Sequence, residues 1–448
     1  MKIKTLIVLM LLSAASLTGQ GKLVVGYYPS WMKSTYPHTA IQYQYLTYIV
    51  HAFIFPNADG SLDLTGFTYY PELIQKAHTN SVGVIISVGG YDVDRTPRFA
   101  QVAADPAARK RFATAMRDFC TKNGYDGVDI DWEYPAAAGR SNTTAFFQEL
   151  HDSLANALVP LTLSIAAPAT DWNNGYDWTV MKNILDWVGV MTYDFYGSWT
   201  TKIGPNSPLY GNFTQTDQGW IDNSVSFYLG KGVPRSKLLI GTAFYGWKFN
   251  GSSMYGSGVG TAQLTYTSIA PLMQQGWTRS WDALARVPYL VNAAQTNVIS
   301  YDDSMSIVGK MSYIKTQSLG GTIIWALGED YFASTGQAPL LTALGRSIVT
   351  GVQDQSAENL PKSFELLQNY PNPFNPATTI SFRLPSAGFV TLKVYDVLGR
   401  DIATLVDTRL DAGSHSVRFD AGSLASGVYV YRLTSEGASL IRTMIVLR

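Results

Sequence analysis

Eight short apolar runs recur along residues 22–330, and no other feature narrows the fold of this chain as far. They are KLVVGYY (22–28), LTYIVHAFIF (46–55), VGVIISVGG (82–90), YDGVDIDWE (125–133), LTLSIAAPA (161–169), WVGVMTYDF (187–195), KLLIGTAFYG (237–246) and GTIIWALGED (321–330). Stretches of helical character separate them, among them PAARKRFATAMRDFCTKNG and NTTAFFQELHDSLANAL. Eight β-then-α units predict a TIM barrel, an α/β fold of (β/α)8 architecture. Its parallel strands are covered on both faces, which is why they read as near-continuous apolar runs. The interval from Tyr245 to Gly320 is too long for a simple unit. It predicts a small α+β insertion on the rim, over residues 248–300. The GSGVG at 256–260 lacks a following phosphate-binding helix pattern and reads as a loop.

The fourth run breaks the apolar rule. Residues 126–135, DGVDIDWEYP, hold four carboxylates in a chain with only 15% charged residues. On a strand Asp129, Asp131 and Glu133 share one side, while Val128, Ile130 and Trp132 share the other. A solvated edge strand could carry that pattern at no cost. As the fourth of eight barrel strands it points its acids inward, with Glu133 at the C-terminal mouth where barrel enzymes do their chemistry. Like charges about 7 Å apart resist ionising together away from water, so the cluster should titrate as a coupled unit. Cleaving a glycosidic bond needs an acid still protonated near neutral pH, and Asp131 beside Glu133 supplies that arrangement. Ordinary retaining glycosidases set a second carboxylate about 5 Å away, across the sugar. Here the clustered carboxylates come from one strand. That leaves open a nucleophile supplied by the substrate, a 2-acetamido oxygen attacking its own anomeric carbon.

Elsewhere the chain mostly excludes. Lys plus Arg is 33 and Asp plus Glu is 33, a balance that suggests no nucleic acid or anionic membrane as partner. MKIKTLIVLMLLSAASLTGQG opens with Lys2 and Lys4 and a short apolar run, which predicts a secretory signal peptide over 1–20. No later segment is apolar enough to span a membrane. Cys120 is the single cysteine, sits in a helix-like stretch and reads as a buried structural thiol. The five histidines are scattered, with no metal-ligand spacing. Residues 22–345 are expected to form the barrel, 346–362 a linker, and 363–448 an all-β sandwich. The sandwich is read from alternation such as Val390, Leu392, Val394 and Val428, Val430, with turn signals between.

DGVDIDWEYP resembles the signature of glycoside hydrolase family 18, the chitinase family. SVGG (87–90), MTYDFYGSW (191–199), GTAFYG (241–246), IGPNSPLY, GKGVPRSKLLIG, VPYL, ISYDD and LGGTIIWALGED are similar to family stretches in the right order. The resemblance implies Glu133 as general acid/base, Asp131 as the residue that orients the acetamido group, and Asp129 as the modulator of Asp131. It implies Tyr193 as donor to the acetamido oxygen, Asp194 as a neighbour in the same subsite, and Trp325 as the floor under a distorted sugar. Ser87 would support Asp129, with Gly89 and Gly90 clearing room. Tyr27, Phe53, Tyr91, Met191, Trp199 and Tyr245 would line the cleft. One position departs: the family often has Arg after FYG, and Trp247 stands here.

The tail, with NYPNPFNP, VYDVLGR, GVYVYRL and a basic end (Arg442, Arg448), resembles the C-terminal sorting domain of bacterial type IX secretion. Together these resemblances imply a secreted or cell-surface chitinase that needs no cofactor and no metal. Its partners would be chitin or chitooligosaccharides and the type IX machinery. An endo-β-N-acetylglucosaminidase or a peptidoglycan hydrolase of the same family stays open. A chitin-binding lectin on a dead barrel is a weaker alternative, because Glu133 is present.

Overall fold

Successive side chains of a strand point to opposite faces, which sorts the near-continuous apolar runs into two cores and builds the barrel. A computed structural model describes residues 21–348 and 364–447, except 370, 385–387, 411–412, 423 and 436–437. The expected signal peptide and most of the expected linker lie outside the described residues. Eight parallel strands form the ring: β1 (Leu23–Pro29), β2 (Tyr48–Pro56), β3 (Gly83–Gly89), β4 (Gly127–Asp131), β5 (Thr162–Ala167), β6 (Trp187–Val190), β7 (Leu238–Ala243) and β8 (Gly321–Trp325). Each pairs with its sequence neighbours, and β8 with β1, so the sheet closes. Val25, Val50, Ile85, Leu239 and Ile323 pack inside the ring. Their chain neighbours Val24, Ile49, Val84, Ile240 and Ile324 pack outward against the helices. Each buried aliphatic side chain contributes about 1.5–3 kcal/mol, so closure buries two cores for one set of strands.

The helices follow their local signals. Asp105 caps Pro106–Asn123 by accepting from the Ala107 N–H, and Gly124 ends it at φ 77°. That helix buries Phe112, Met116 and Cys120. Burial also pushes the Cys120 thiol up, which leaves it unreactive, as a structural thiol should be.

β6 is shorter than the run that predicts it, which extended to Phe195. The cause is Thr192, whose Oγ1 donates to the Gly241 carbonyl (2.9 Å) and accepts from the Gly241 N–H (2.8 Å). A side chain thus takes the ladder bonds that the next strand residue would have made. Residues 191–194 leave the sheet as an irregular segment.

The insertion is a five-stranded antiparallel sheet, ordered Gly260–Thr265, Tyr245–Asn250, Asn297–Ser300, Val287–Val291 and Thr278–Asp282. The first of these in the chain starts at Tyr245, separated from the end of β7 by a single residue. Pro339–Ile348 is a helix that runs past residue 345 and buries Leu340, Leu341, Leu344 and Ile348.

The chain divides into two compact units between positions 350 and 351. The second is all-β, with one three-stranded and one four-stranded antiparallel sheet sharing a core. Val390, Leu392 and Val394 are fully buried there as the alternation implied. The strand Gly427–Ser435 differs: Val428 is exposed, and Tyr431 and Leu433 are its core residues. Tyr431 wins the inward position because its larger ring fills the core and its hydroxyl reaches the Leu367 carbonyl at 2.8 Å.

Candidate active site

The register of three neighbouring strands sets Ser87, Asp129 and Ser164 side by side on β3, β4 and β5. Ser87 donates to Asp129 Oδ2 at 2.9 Å and Ser164 to Oδ1 at 2.7 Å. Tyr27, from β1, donates to Oδ2 at 2.8 Å. Asp129 is wholly buried, and burial raises its pKa against those three donors. A serine inside an otherwise mostly apolar strand was the available signal for Ser164, which was not singled out from sequence.

Asp131, the next inward residue, lines a cleft of about 1180 Å³ at the C-terminal mouth of the barrel. Its Oδ1 is buried with no hydrogen-bond partner. Burial raises its pKa well above the ordinary Asp value, and the charges of Glu133 and Asp129 add to that. Trp132 turns the other way and stacks on Phe99 (5.3 Å between centroids, 13° between planes). Glu133 lies just beyond the end of β4. Burial pushes it up to about 7, a bond from Tyr134 works against that, and the charge of Asp194 adds to it. The sequence reading had Asp131 lift Glu133. The two carboxyls repel each other and titrate as a coupled pair, with burial the first cause of the rise in both.

Tyr193 and Asp194 enter the cleft from the segment after β6. Asp194 adopts a left-handed backbone (φ 57°), and its N–H is held by Asn206 Oδ1 at 3.0 Å. Asp194 Oδ1 accepts from the Tyr245 hydroxyl and the Trp247 indole N–H, both at 2.7 Å. Burial raises its pKa and these donors oppose the rise. Trp247 is therefore a hydrogen-bond donor here. Trp325, at the end of β8, lines the cleft, with Phe53 stacked at 5.6 Å and 18° and Tyr27 at 5.7 Å.

Gly89 and Gly90 have φ values of 122° and 88°. A Cβ on Gly89 would stand 2.0 Å from the Asp131 carbonyl, and one on Gly90 2.9 Å from the Phe53 ring. Tyr27, Phe53, Tyr91, Met191, Trp199 and Tyr245 all line the cleft, Tyr91 and Trp199 at its exposed rim. Ser87 does not reach it; fully buried behind Asp129, it is a support with no exposed surface for a sugar. Trp31, Tyr134 and Trp172 also line the cleft and were not singled out from sequence. Each follows the end of a barrel strand closely, which was the one available clue. Among the described residues no group of three or more His, Cys, Asp or Glu is arranged to hold a metal ion.

A carboxyl pushed up to about 7 beside an unpartnered carboxyl oxygen, in a cleft lined by aromatic rings, is equipped for acid chemistry on a sugar. Residues 23–330 match the family described as Glycosyl hydrolases family 18. The chain belongs to glycosyl hydrolase family 18. Residues 368–447 match the Secretion system C-terminal sorting domain. Among curated relatives, a probable endochitinase of Caenorhabditis elegans is 31% identical over 344 residues, 67% of this chain and 55% of that protein. Chitinase A1 of Niallia circulans is 34% identical over 284 residues, 55% of this chain and 40% of that protein. The chain thus spans only 40–55% of the length of these two relatives. The structure of Ostrinia furnacalis Group IV chitinase in complex with allosamidin superposes with a TM-score of 0.66 at 26% identity, covering 74% of this chain and 99% of that one. This family 18 chain places its acidic motif, its Tyr193–Asp194 segment and Trp325 around one cleft.

Proposed function

We propose that the protein is a secreted chitinase that hydrolyses β-1,4-linked N-acetylglucosamine polymers with retention of configuration. The observation that carries this reading is Glu133, held protonated to about pH 7, beside Asp131 with its unpartnered oxygen. In the mechanism, Glu133 gives its proton to the glycosidic oxygen. The acetamido oxygen of the sugar before the bond attacks its anomeric carbon from the opposite face, closing a cyclic oxazolinium ion. Asp131 accepts from the acetamido N–H and stabilises the positive charge, and Tyr193 donates to the acetamido oxygen. Trp325 supports the sugar ring from below. Glu133, now a carboxylate, takes a proton from the water that opens the ring, and the product keeps the β configuration. Asp129, fixed by three hydroxyls, adjusts the charge of Asp131.

The sorting-domain match supports export by type IX secretion, with the final location in the medium or at the cell surface. Among the described residues no helix is long and apolar enough to cross a membrane.

The test is product analysis on chitin hexamer beside a high-mannose glycopeptide, with NMR of the first anomer and a thiazoline analogue of the oxazolinium ion. Cleavage of the hexamer, β-anomer first, with competitive inhibition well below KM, is expected, because a mimic of the transition state binds tighter than substrate. Cleavage of the glycopeptide alone would make the protein an endo-β-N-acetylglucosaminidase. A first α-anomer would overturn the substrate-assisted route.

A further inference from the structure

The segment that carries Tyr193 and Asp194 has left the sheet, and its shape is held from outside. Ser207 donates to the Thr192 carbonyl at 2.6 Å, next to Tyr193 in the chain. Ser207 Oγ in turn accepts from Lys310 Nζ at 2.7 Å. Lys310 lies on the helix Ser304–Thr316 and donates also to Asp302 Oδ2 at 2.6 Å. Asp302 Oδ1 accepts from Ser306 at 2.6 Å. Both partners of this ion pair have no exposed side-chain surface. Beside it, Asn206 takes the Asp194 N–H, gives its own N–H to Ser300 Oγ at 2.7 Å and its side-chain amide to the Tyr245 carbonyl at 3.3 Å.

A fully buried ion pair is poor evidence of stabilisation, because desolvating two charges offsets their attraction. Packed apolar groups would serve stability as well. What a buried lysine supplies and an apolar residue cannot is a donor fixed in direction. With its proton directed at Thr192, Ser207 can accept only from a donor, and Lys310 fills that place while Asp302 keeps the ammonium aimed. The chain of bonds therefore runs without a break from Asp302 to the backbone that sets Tyr193 and Asp194.

We infer that Lys310, aimed by Asp302, is a positioning residue that acts through Ser207 to fix Tyr193 and Asp194 for the reaction. The inference rests on the proposed glycosidase reading, and wild-type turnover of chitin oligomers measures that reading separately. If the wild type is inert, the reading fails; if the wild type is active, the variants below decide the inference alone.

The experiment uses the full chain and a chromogenic N-acetylglucosamine oligomer. Ser207→Ala cuts the link and leaves the ion pair in place. Lys310→Met with Asp302→Asn removes both charges together, so that neither is left buried alone. Displacing a reacting group by about 1 Å costs on the order of 10²-fold in rate. Each variant is therefore expected to lose roughly 10- to 100-fold in kcat, with KM within about threefold and melting temperature near wild type. Combining all three substitutions should cost little more than either set alone, since one pathway is already cut. Wild-type kcat in Ser207→Ala would overturn the inference, and so would fully additive losses. If the charge-removed variant fails to fold, Ser207→Ala alone still decides: a fall in kcat at unchanged melting temperature supports positioning, and unchanged kcat refutes it.

Discussion

Trp247 donates its indole N–H to Oδ1 of Asp194 over 2.7 Å, at the position where the family often has an arginine. The donor is neutral, so it brings no positive charge to offset the negative charge of an ionised Asp194. That charge helps hold Glu133 up at about 7. Removing it favours the ionised form of Glu133 and lowers its pKa. Asp194→Asn should therefore move the basic limb of the kcat–pH profile toward lower pH. A limb that stays in place would show that the two carboxyls do not interact.

Glu133→Gln keeps the shape and removes the transferable proton. Turnover should fall at least ~10²-fold while oligosaccharide binding persists, the usual scale for a positioned acid. Near wild-type turnover would mean another acid. The raised pKa also has a consequence for stability. A carboxyl lifted on folding contributes stability that is full below its unfolded pKa and lost as pH rises through about 7. Relative to wild type, the Gln variant should gain melting temperature as pH rises from 6 to 8 (roughly one unit either side of that pKa). An equal difference at both pH values would contradict this.

Asp131→Asn takes away the charge expected to hold the oxazolinium ion. It also ends the shared titration of Asp131 with Glu133. A large loss of kcat with a displaced acidic limb is the expected outcome. The same limb at the wild-type pH would separate the two groups.

Truncation distinguishes two endpoints. A chain ending at Ile348 keeps the whole helix Pro339–Ile348 and should fold and retain wild-type activity on soluble oligomers. A chain ending at Ala343 loses the buried Leu344 and Ile348, about 1.5–3 kcal/mol each, and should melt measurably lower. Equal melting temperatures would mean that these side chains do not close the barrel.

Sequence alone determined the barrel. Eight near-continuous apolar runs leave few other ways to cover both faces of every strand, and Val24 with Val25 or Ile323 with Ile324 divide between the two cores because successive side chains point to opposite faces. It also determined the direction of Asp129, Asp131 and Trp132, because a strand alternates its faces. Tertiary structure decided what bonds across strands. Ser164 meets Asp129 only through the register of β5 on β4, and Thr192 ends β6 only because Gly241 lies beside it. Trp247, a departure in sequence, became a donor to Asp194 once the insertion's first strand set its indole there. Lys310 reaches Ser207 from 103 positions away in the chain. Local patterns record which face a side chain takes, because the backbone period is local. Which partner it finds there depends on register and closure, and those are properties of the whole ring.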